Sequence, residues 1–333
     1  MFPSPSTPRP ARRARTARGA LKALTAAALA ALAACGGGTS QYEPFVPERM
    51  FAFGDEASAL TADAPSGRNY GINGINTNDT ADDTSDDFLD CRLQPNWAQS
   101  LAASYGFVFA ECNPGAIEVK ARNWSAPGAR VAEVAAQVDA QVAAGGFRDK
   151  DIASLMVGVN DIVEIYGGYD GSNEEALLAE ARERGNRAAA VVNRLIALGA
   201  KVVLSNIPDL GYTPYAVKEN AAHPDSNRAG VLSRLSAAFN ERLGVSILID
   251  GRFVALVQTD QRILAINRSP ASFVIANAVD AACATPPPNC TNNTLVTDAN
   301  ATTWLWAGDL LLSSRGQSEV ASLAITRAQR NPF

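Results

Sequence analysis

Histidine is almost missing from this chain, because His223 is the only one among 333 residues. It lies in a polar Ala-His-Pro-Asp segment, and we interpret it as a surface residue rather than a displaced base. The five cysteines show no Cys-x-x-Cys spacing. Because zinc sites are built from closely spaced cysteine and histidine ligands, the sequence argues against zinc, and we expect no cofactor.

Acidic residues are absent before residue 35, whereas six basic residues fall there: Arg9, Arg12, Arg13, Arg15, Arg18 and Lys22. The rest of the chain therefore holds 23 basic and 34 acidic residues, a net charge of −11. That balance argues against nucleic acid and against anionic membrane surfaces as partners. The overall composition, 47% hydrophobic and 19% charged, is that of an ordinary globular protein.

The N-terminal apolar run is too short to cross a bilayer. It covers residues 23–34, twelve positions rich in Ala and Leu, whereas a membrane-spanning helix needs about 20. A basic stretch before a short apolar run is typical of a signal peptide, and residues 32–35, Leu-Ala-Ala-Cys, resemble a bacterial lipobox. We therefore predict a lipoprotein signal peptide at 1–34 and acylation of Cys35. An ordinary signal peptide and an uncleaved anchor are the alternatives.

Acyl chains on Cys35 would tether a soluble domain to a membrane without making it integral. The following segment, 35–48, is predicted to be a lipidated flexible linker. Gly36, rather than Asp, follows the cysteine, which resembles the signal for an outer-membrane destination. We expect a lipid-anchored protein of the bacterial cell envelope, on the periplasmic or surface face of the outer membrane.

Four cysteines remain once Cys35 is assigned to lipid. An even number in an exported protein favours two disulfides, and three pairings are possible. We predict the local pairing, since each bridge then closes a short loop: Cys91 with Cys112, and Cys283 with Cys290.

Short apolar segments alternate with segments of helical periodicity along residues 49–330, the predicted domain. The predicted strands are 49–53, 119–123, 152–158, 201–206 and 246–250. The predicted helices are a first turn after Gly54-Asp55 and residues 97–105, 129–144, 174–198, 228–243, 253–266 and 316–327. This alternation predicts a parallel sheet covered on both faces. Ligands of such sheets lie beyond the carboxyl ends of the strands.

Residues 76–90 are crowded with acids and amides: Asn76, Asn78, Asp79, Asp82, Asp83, Asp86, Asp87 and Asp90. A calcium loop needs a glycine at its sharp turn, and Ala81 stands in that place. We interpret the segment as a solvated acidic surface loop and predict no metal site, with calcium binding as the alternative.

Four strand ends carry motifs that occur in order. They are Phe-Gly-Asp at 53–55, Asn-Trp-Ser-Ala-Pro-Gly-Ala at 123–129, Gly-Val-Asn-Asp at 158–161 and Asn-Ile-Pro-Asp-Leu-Gly-Tyr-Thr-Pro at 206–214. Over about residues 48–328 the chain resembles the SGNH/GDSL hydrolase family, especially its autotransporter esterases and plant GDSL lipases. The resemblance implies a three-layer α/β/α sandwich around a five-stranded parallel, flavodoxin-like sheet. It also implies ester hydrolysis, with an oxyanion hole formed by Gly128 and Asn160.

The positions that carry the catalytic Ser-Asp-His triad in that family hold other residues in this chain. Glu56 stands where the family has its nucleophilic serine. In the last block the resemblance places Gly308 at the aspartate, Leu311 at the histidine and Gln317 at a second histidine. Leucine cannot accept a proton and glycine has no side chain, so acyl transfer through a hydroxyl lacks its nucleophile, base and orienting group. We expect no intact catalytic residue.

Nearby residues are weaker candidates for rescuing the chemistry. Asp309 has no neighbouring histidine to orient, and Ser58 is predicted to point away from the site. A carboxylate pair formed by Asp55 and Glu56 would require adjacent side chains to converge. We predict instead that Glu56 fills the oxyanion hole from within, with a carboxylate oxygen in hydrogen-bonding reach of the Asn160 side chain.

Two functions follow from these observations. The leading hypothesis is a non-catalytic binding or scaffolding protein with a hydrolase fold, whose cleft takes an acylated glycan or a lipid and which meets the membrane through lipidated Cys35. The alternative is a carboxylester hydrolase that acts on ester bonds. Neither hypothesis involves nucleic acid.

Overall fold

The computed structural model describes Met1, residues 44–78 and residues 84–333. The predicted signal peptide, Cys35 and most of the predicted linker lie outside the described residues, as do Asp79, Asp82 and Asp83 of the acidic loop. Pro44–Phe333 forms one compact unit, which contains the predicted domain 49–330. No helix among the residues described has the length and apolarity needed to cross a membrane.

Five parallel strands form the central sheet, in the order β4-β1-β5-β6-β7. They are β1 (Arg49–Gly54), β4 (Ala121–Asn123), β5 (Asp151–Met156), β6 (Lys201–Ser205) and β7 (Val254–Val257). Two short pairs lie outside it: β2 (Ile75–Asn76) with β3 (Phe88–Leu89), and β8 (Asn277–Ala281) with β9 (Trp304–Trp306). In order of appearance the main strands run 2-1-3-4-5, the flavodoxin-like order. The predicted fold class is confirmed.

Eight helices of the described residues surround the sheet. They are α1 (Trp97–Ser104), α2 (Val131–Ala143), α3 (Val159–Tyr166), α4 (Glu174–Ala197), α5 (Pro214–Ala222), α6 (Arg228–Ser246), α7 (Thr259–Arg268) and α8 (Ser314–Arg330). Short 3-10 turns occur at Leu210–Tyr212 and Pro270–Phe273. The helices predicted at 97–105, 129–144, 174–198 and 316–327 are confirmed as α1, α2, α4 and α8.

Both faces of the sheet are buried, which gives the molecule three layers. Along β1, Phe51 and Phe53 pack with α2, α3, α4 and α6 on one face, whereas Met50 and Ala52 pack with α1, α7 and α8 on the other. Successive strand residues point to opposite faces, so a strand buried on both sides reads as a continuous apolar run. Each fully buried large side chain of this kind contributes about 1.5–3 kcal/mol.

The strand predicted at 246–250 is wrong. Helix α6 continues through Gly244 to Ser246, and the fifth strand is β7, which the sequence had assigned to the start of a helix at 253–266. A methyl group at Gly244 would meet no neighbour, so the glycine weakens α6 without ending it. The apolar run beyond α6 does not join the sheet: Leu248 is 58% exposed and Ile249 79%. Val254–Val257 pairs with β6 instead.

The predicted helix after Gly54-Asp55 is also wrong, because only a single turn forms. The amides of Ser58 and Ala59 both donate to the Asp55 carbonyl, at 3.1 Å each. The chain then leaves helical geometry, since Leu60 bridges Asn69 in antiparallel fashion and the Thr61 amide donates to the Arg68 carbonyl at 2.8 Å. Glu56 therefore lies in a turn and not at the N-terminus of a helix.

Both predicted disulfides are confirmed. Cys91 pairs with Cys112 and Cys283 with Cys290, each with Cα atoms 5.8 Å apart. The second bridge closes a proline-rich loop between β8 and β9, and Gly308 and Leu311 follow β9. The acidic loop is described only in part. There, buried Asp90 forms an ion pair with Arg92 at 2.6 Å, and calcium binding stays an alternative prediction.

Candidate active-site cleft

A cleft of about 420 Å³ opens where several loops meet at the carboxyl ends of the strands. Glu56 comes from the turn after β1, and Val159 and Asn160 come from the start of α3, directly after β5. Further lining residues come from α5 and from the last third of the chain: Lys218, Ala281, Cys283, Pro286, Pro287, Ala307, Gly308, Asp309, Leu310 and Leu311. Glu56, Gly308 and Leu311, which the resemblance places at the triad positions, thus line one cleft.

Gly54 fixes the course of the turn that carries Glu56. Its φ of +140° is unfavourable for other residues, and a Cβ atom here would lie 2.1 Å from the Met156 carbonyl oxygen. The Gln137 side chain bonds both backbone groups of Gly54, accepting from its amide at 2.9 Å and donating to its carbonyl at 2.9 Å. The end of β1 is therefore held rigidly against β5.

The Glu56 carboxylate occupies the predicted oxyanion hole. Its Oε1 accepts from the Gly128 amide at 2.7 Å, and its Oε2 accepts from Asn160 Nδ2 at 2.8 Å. The predicted contact between Glu56 and Asn160 is confirmed. Hydrogen bonds to an ionised acceptor are roughly twice as strong as neutral ones, so both donors are held by a charge that belongs to the protein itself.

The two donors are positioned by local backbone geometry, and Asn160 also by the packing around Gly158. Gly128 has a φ of +75°, which a glycine adopts readily. Asn160 follows Gly158, whose φ is +130° and where a Cβ atom would lie 2.5 Å from the Phe239 ring. Next to Asn160, the Asp161 carboxylate accepts from the Val131 amide and from Arg184, both at 3.0 Å. These contacts tie α3, α2 and α4 together beneath the hole.

Asp55 points the opposite way from Glu56, into the protein. Its side chain is only 2% exposed; Oδ1 accepts from the Ala57 amide at 3.0 Å, while Oδ2 has no hydrogen-bond partner among the described residues. Burial, with a smaller contribution from the charge of Glu56, raises the pKa of Asp55 to about 8. Asp55 is therefore mostly neutral at pH 7 and lies outside the cleft, so the two adjacent carboxyl groups do not converge.

This burial predicts a pH dependence of stability. The pKa of Asp55 is raised from 3.8 to about 8, so the folded state holds a proton that the unfolded state releases. The contribution of protonated Asp55 to the free energy of unfolding is fully present below pH 4 and is lost as the pH rises through 8. We expect the free energy of unfolding of the unmodified chain to fall across that window relative to Asp55→Asn, which keeps the size and cannot ionise. Urea unfolding at pH 4, 6 and 8 measures this free energy for both proteins. A difference between the two proteins that stays the same at all three pH values would contradict the prediction.

Gly308 and Leu311 lie side by side in the cleft wall. The amides of Ala307 and Gly308 donate to the Leu311 carbonyl at 2.7 and 3.2 Å, which closes a tight turn. A Cβ atom at Gly308 would lie 3.8 Å from the Leu311 Cβ and 3.7 Å from Pro287, both ordinary contacts. Side chains at these two positions would therefore meet, but neither present residue can accept or hold a proton.

The other residues singled out in the sequence do not supply a base or a nucleophile to the cleft. His223 is exposed beyond the end of α5 and does not line the cleft. Ser58 is buried and accepts from the Trp97 indole at 3.0 Å. Gln317 is buried and accepts from the Trp97 amide at 3.0 Å, so it braces α1 and α8. These three side chains have structural or surface roles.

Asp309 lies at the cleft rim and forms an ion pair with Lys218 at 2.6 Å, a contact that sequence reasoning missed. It links α5 to the turn at 308–311, and the Tyr215 amide donates to the Asp309 carbonyl at 3.0 Å. The wall formed by Cys283, Pro286 and Pro287 was missed as well. Its only signal in the sequence is a run of prolines inside the short disulfide loop. Within residues 44–78 and 84–333, no group of three or more His, Cys, Asp or Glu residues could hold a metal ion.

A family model for GDSL-like lipase/acylhydrolase matches residues 50–260. Similar solved structures include a member of the lipolytic G-D-S-L family from Veillonella parvula DSM 2008, with 12% identity, 84% of this chain and 96% of that one covered, and a TM-score of 0.42. A lipase from a goat rumen metagenome has 13% identity, 86% and 99% coverage and a TM-score of 0.46. An acetylxylan esterase from Geobacillus stearothermophilus has 12% identity, 87% and 98% coverage and a TM-score of 0.44. No curated protein sequence matches this chain.

Proposed function

Because the chain belongs to the GDSL-like lipase/acylhydrolase family but carries Glu56, Gly308 and Leu311 at the three triad places, we propose that it is a non-hydrolytic member that binds a ligand in its cleft. One observation carries the proposal. The Glu56 carboxylate bonds both the Gly128 amide and Asn160 Nδ2, the two donors that an ester's developing oxyanion would need.

Three losses act together against hydrolysis. A serine esterase needs a hydroxyl nucleophile and a base that takes its proton, and the cleft offers a carboxylate at the first place and a leucine at the second. In a comparable triad, removing the nucleophile or the base alone lowers kcat roughly a millionfold. The residual catalysis of such damaged sites comes from the oxyanion hole and substrate binding, about a thousandfold over water. In this chain Glu56 already fills the oxyanion hole, so we expect this residual catalysis to be lost too.

The proposed setting is the bacterial cell envelope. The lipobox-like segment at 32–35 supports acylation of Cys35 and an anchor in the outer membrane. Pro44 leads into the amino end of β1, whereas the cleft lies beyond the carboxyl ends of the strands. An acylated glycan or a lipid is the ligand class we propose for a scaffolding or binding role.

An esterase assay tests the proposal. We expect the protein to hydrolyse p-nitrophenyl acetate and butyrate no faster than buffer, since the described residues that line the cleft include neither a serine nor a histidine. Glu56→Ala serves as the matched variant because it removes the only carboxylate that fills the hole. Turnover well above buffer in the unmodified chain, lost in Glu56→Ala, would show a working carboxylester hydrolase and overturn the proposal.

A further inference from the structure

The Glu56 carboxylate has only neutral partners. Each of its oxygens accepts one hydrogen bond, from the Gly128 amide or from Asn160 Nδ2. Over the described part of the chain, it forms no ion pair with a lysine or arginine. A carboxylate offers about four acceptor positions, so roughly half of its hydrogen-bonding capacity is unused, and Glu56 lines the cleft.

The cleft as a whole has an excess negative charge. Three charged residues line it among those that the structure describes: Glu56, Lys218 and Asp309. Lys218 bonds to Asp309 at 2.6 Å, so these two charges compensate each other at the rim. The negative charge of Glu56 is left without a counterion. Because an uncompensated charge beside apolar walls is costly, a cation that enters the cleft recovers part of that cost.

The walls around Glu56 are apolar. They are formed by Val159 from α3, by Pro286 and Pro287 from the disulfide loop, and by Leu310 and Leu311 from the turn at the rim. A volume of about 420 Å³ lies within the range of small-molecule sites, which commonly combine apolar walls with a few polar groups that fix orientation. A ligand for this cleft therefore needs an apolar body and one positively charged group.

We propose that the cleft binds a primary amine on an apolar body, with the ammonium group on the Glu56 carboxylate. The inference rests on the proposed binding function, and it narrows the lipid or glycan ligand to one that carries an amine. An ammonium group supplies three donors for the unused acceptor positions of Glu56. The site of this chain thus selects a charge opposite to the one that an oxyanion hole selects.

Calorimetric titration of the full chain at pH 7 with hexylamine, hexanol and hexanoate tests the charge preference, since the three probes share one apolar body. We expect hexylammonium to bind at least about tenfold more tightly than hexanol, equal to about 1.4 kcal/mol, and hexanoate not to bind. Glucosamine forms a fourth arm: it should bind more weakly than hexylamine because its body is polar, and equal affinity of the two amines would contradict the requirement for an apolar body.

Two variants locate the effect. Glu56→Gln keeps the side-chain size and removes the charge, so the advantage of hexylammonium over hexanol should vanish. Glu118→Gln is the control, because Glu118 is 77% exposed, pairs with Lys120 and does not line the cleft; it should bind like the unmodified chain. Equal affinity for hexylammonium and hexanol in the unmodified chain, or an advantage that survives in Glu56→Gln, would overturn the inference. Neither result would bear on the proposed absence of ester hydrolysis, which the p-nitrophenyl ester assay tests separately.

Discussion

The triple variant Glu56→Ser, Gly308→Asp, Leu311→His should hydrolyse p-nitrophenyl acetate at least about a thousandfold faster than the unmodified chain. It restores a nucleophile, a base and an orienting group at the three places that the family uses for them. It also removes the carboxylate from the Gly128 amide and Asn160 Nδ2, which frees both donors for an oxyanion. The gain is large because these groups act as a unit.

The cleft has room for the new side chains. A Cβ atom at Gly308 makes only ordinary contacts, at 3.7 Å from Pro287 and 3.8 Å from Leu311, and the backbone there is not in the left-handed region. An aspartate at 308 and a histidine at 311 would therefore be neighbours, as an orienting pair must be. In the variant Asn160 keeps its hydrogen bond to the Ala129 carbonyl, and the neighbouring Asp161 keeps its bond from the Val131 amide, since neither contact involves a substituted position.

The matched controls are Glu56→Ser alone and Gly308→Asp with Leu311→His. Triad members contribute non-additively, so each control should stay near the background rate while the triple variant gains activity. Initial rates with p-nitrophenyl acetate measure this, and circular dichroism confirms folding. A folded triple variant as inert as its controls would show that the cleft has lost more than its triad.

Gly54→Ala should destabilise the protein by more than about 4 kcal/mol, in the range reserved for severe core defects. The added Cβ would lie 2.1 Å from the Met156 carbonyl oxygen, and the φ of +140° strains any side chain. Backbone atoms of two paired central strands cannot move apart without breaking the sheet. Urea unfolding at pH 7 measures the loss.

Gly244→Ala provides the matched control for that substitution. Gly244 lies within α6, and a Cβ atom there meets nothing within 4 Å. Alanine should raise the free energy of unfolding by about 0.5–1 kcal/mol, because glycine is the weaker helix former. Equal unfolding midpoints for Gly54→Ala and the unmodified chain would contradict the close approach of β1 and β5 on which the site depends.

Most of the fold was predictable because the buried strands read as continuous apolar runs flanked by helical periodicity. The wrong strand arose where two apolar runs lie close together, at 247–249 and 254–257. The local pattern of apolar residues cannot show which of the two runs joins the sheet. In the structure, the second run joins it by pairing with β6. The glycine at 244 added to the error, since it is tolerated in an exposed stretch of helix and does not end it.

The site was predictable in part for a similar reason. Residues that directly follow strands meet at one sheet edge, so Glu56, Gly128 and Asn160 could be placed together. The wall formed by Pro286 and Pro287 and the pairing of Lys218 with Asp309 could not, because they join segments far apart in the chain with no periodic signal. The turn at Glu56 could not be predicted from the sequence either, because tertiary contacts favour it over a helix.

The occupied oxyanion hole is tested most directly by nuclear magnetic resonance of the isotopically labelled protein and its Glu56→Ala variant. A hydrogen bond to a carboxylate moves an amide proton downfield. We expect downfield signals for the Gly128 amide and the Asn160 side-chain amide, both moving upfield in Glu56→Ala, because Glu56 contacts them at 2.7 and 2.8 Å. Identical positions of both signals in the two proteins would mean that Glu56 leaves the hole open, and would contradict this expectation.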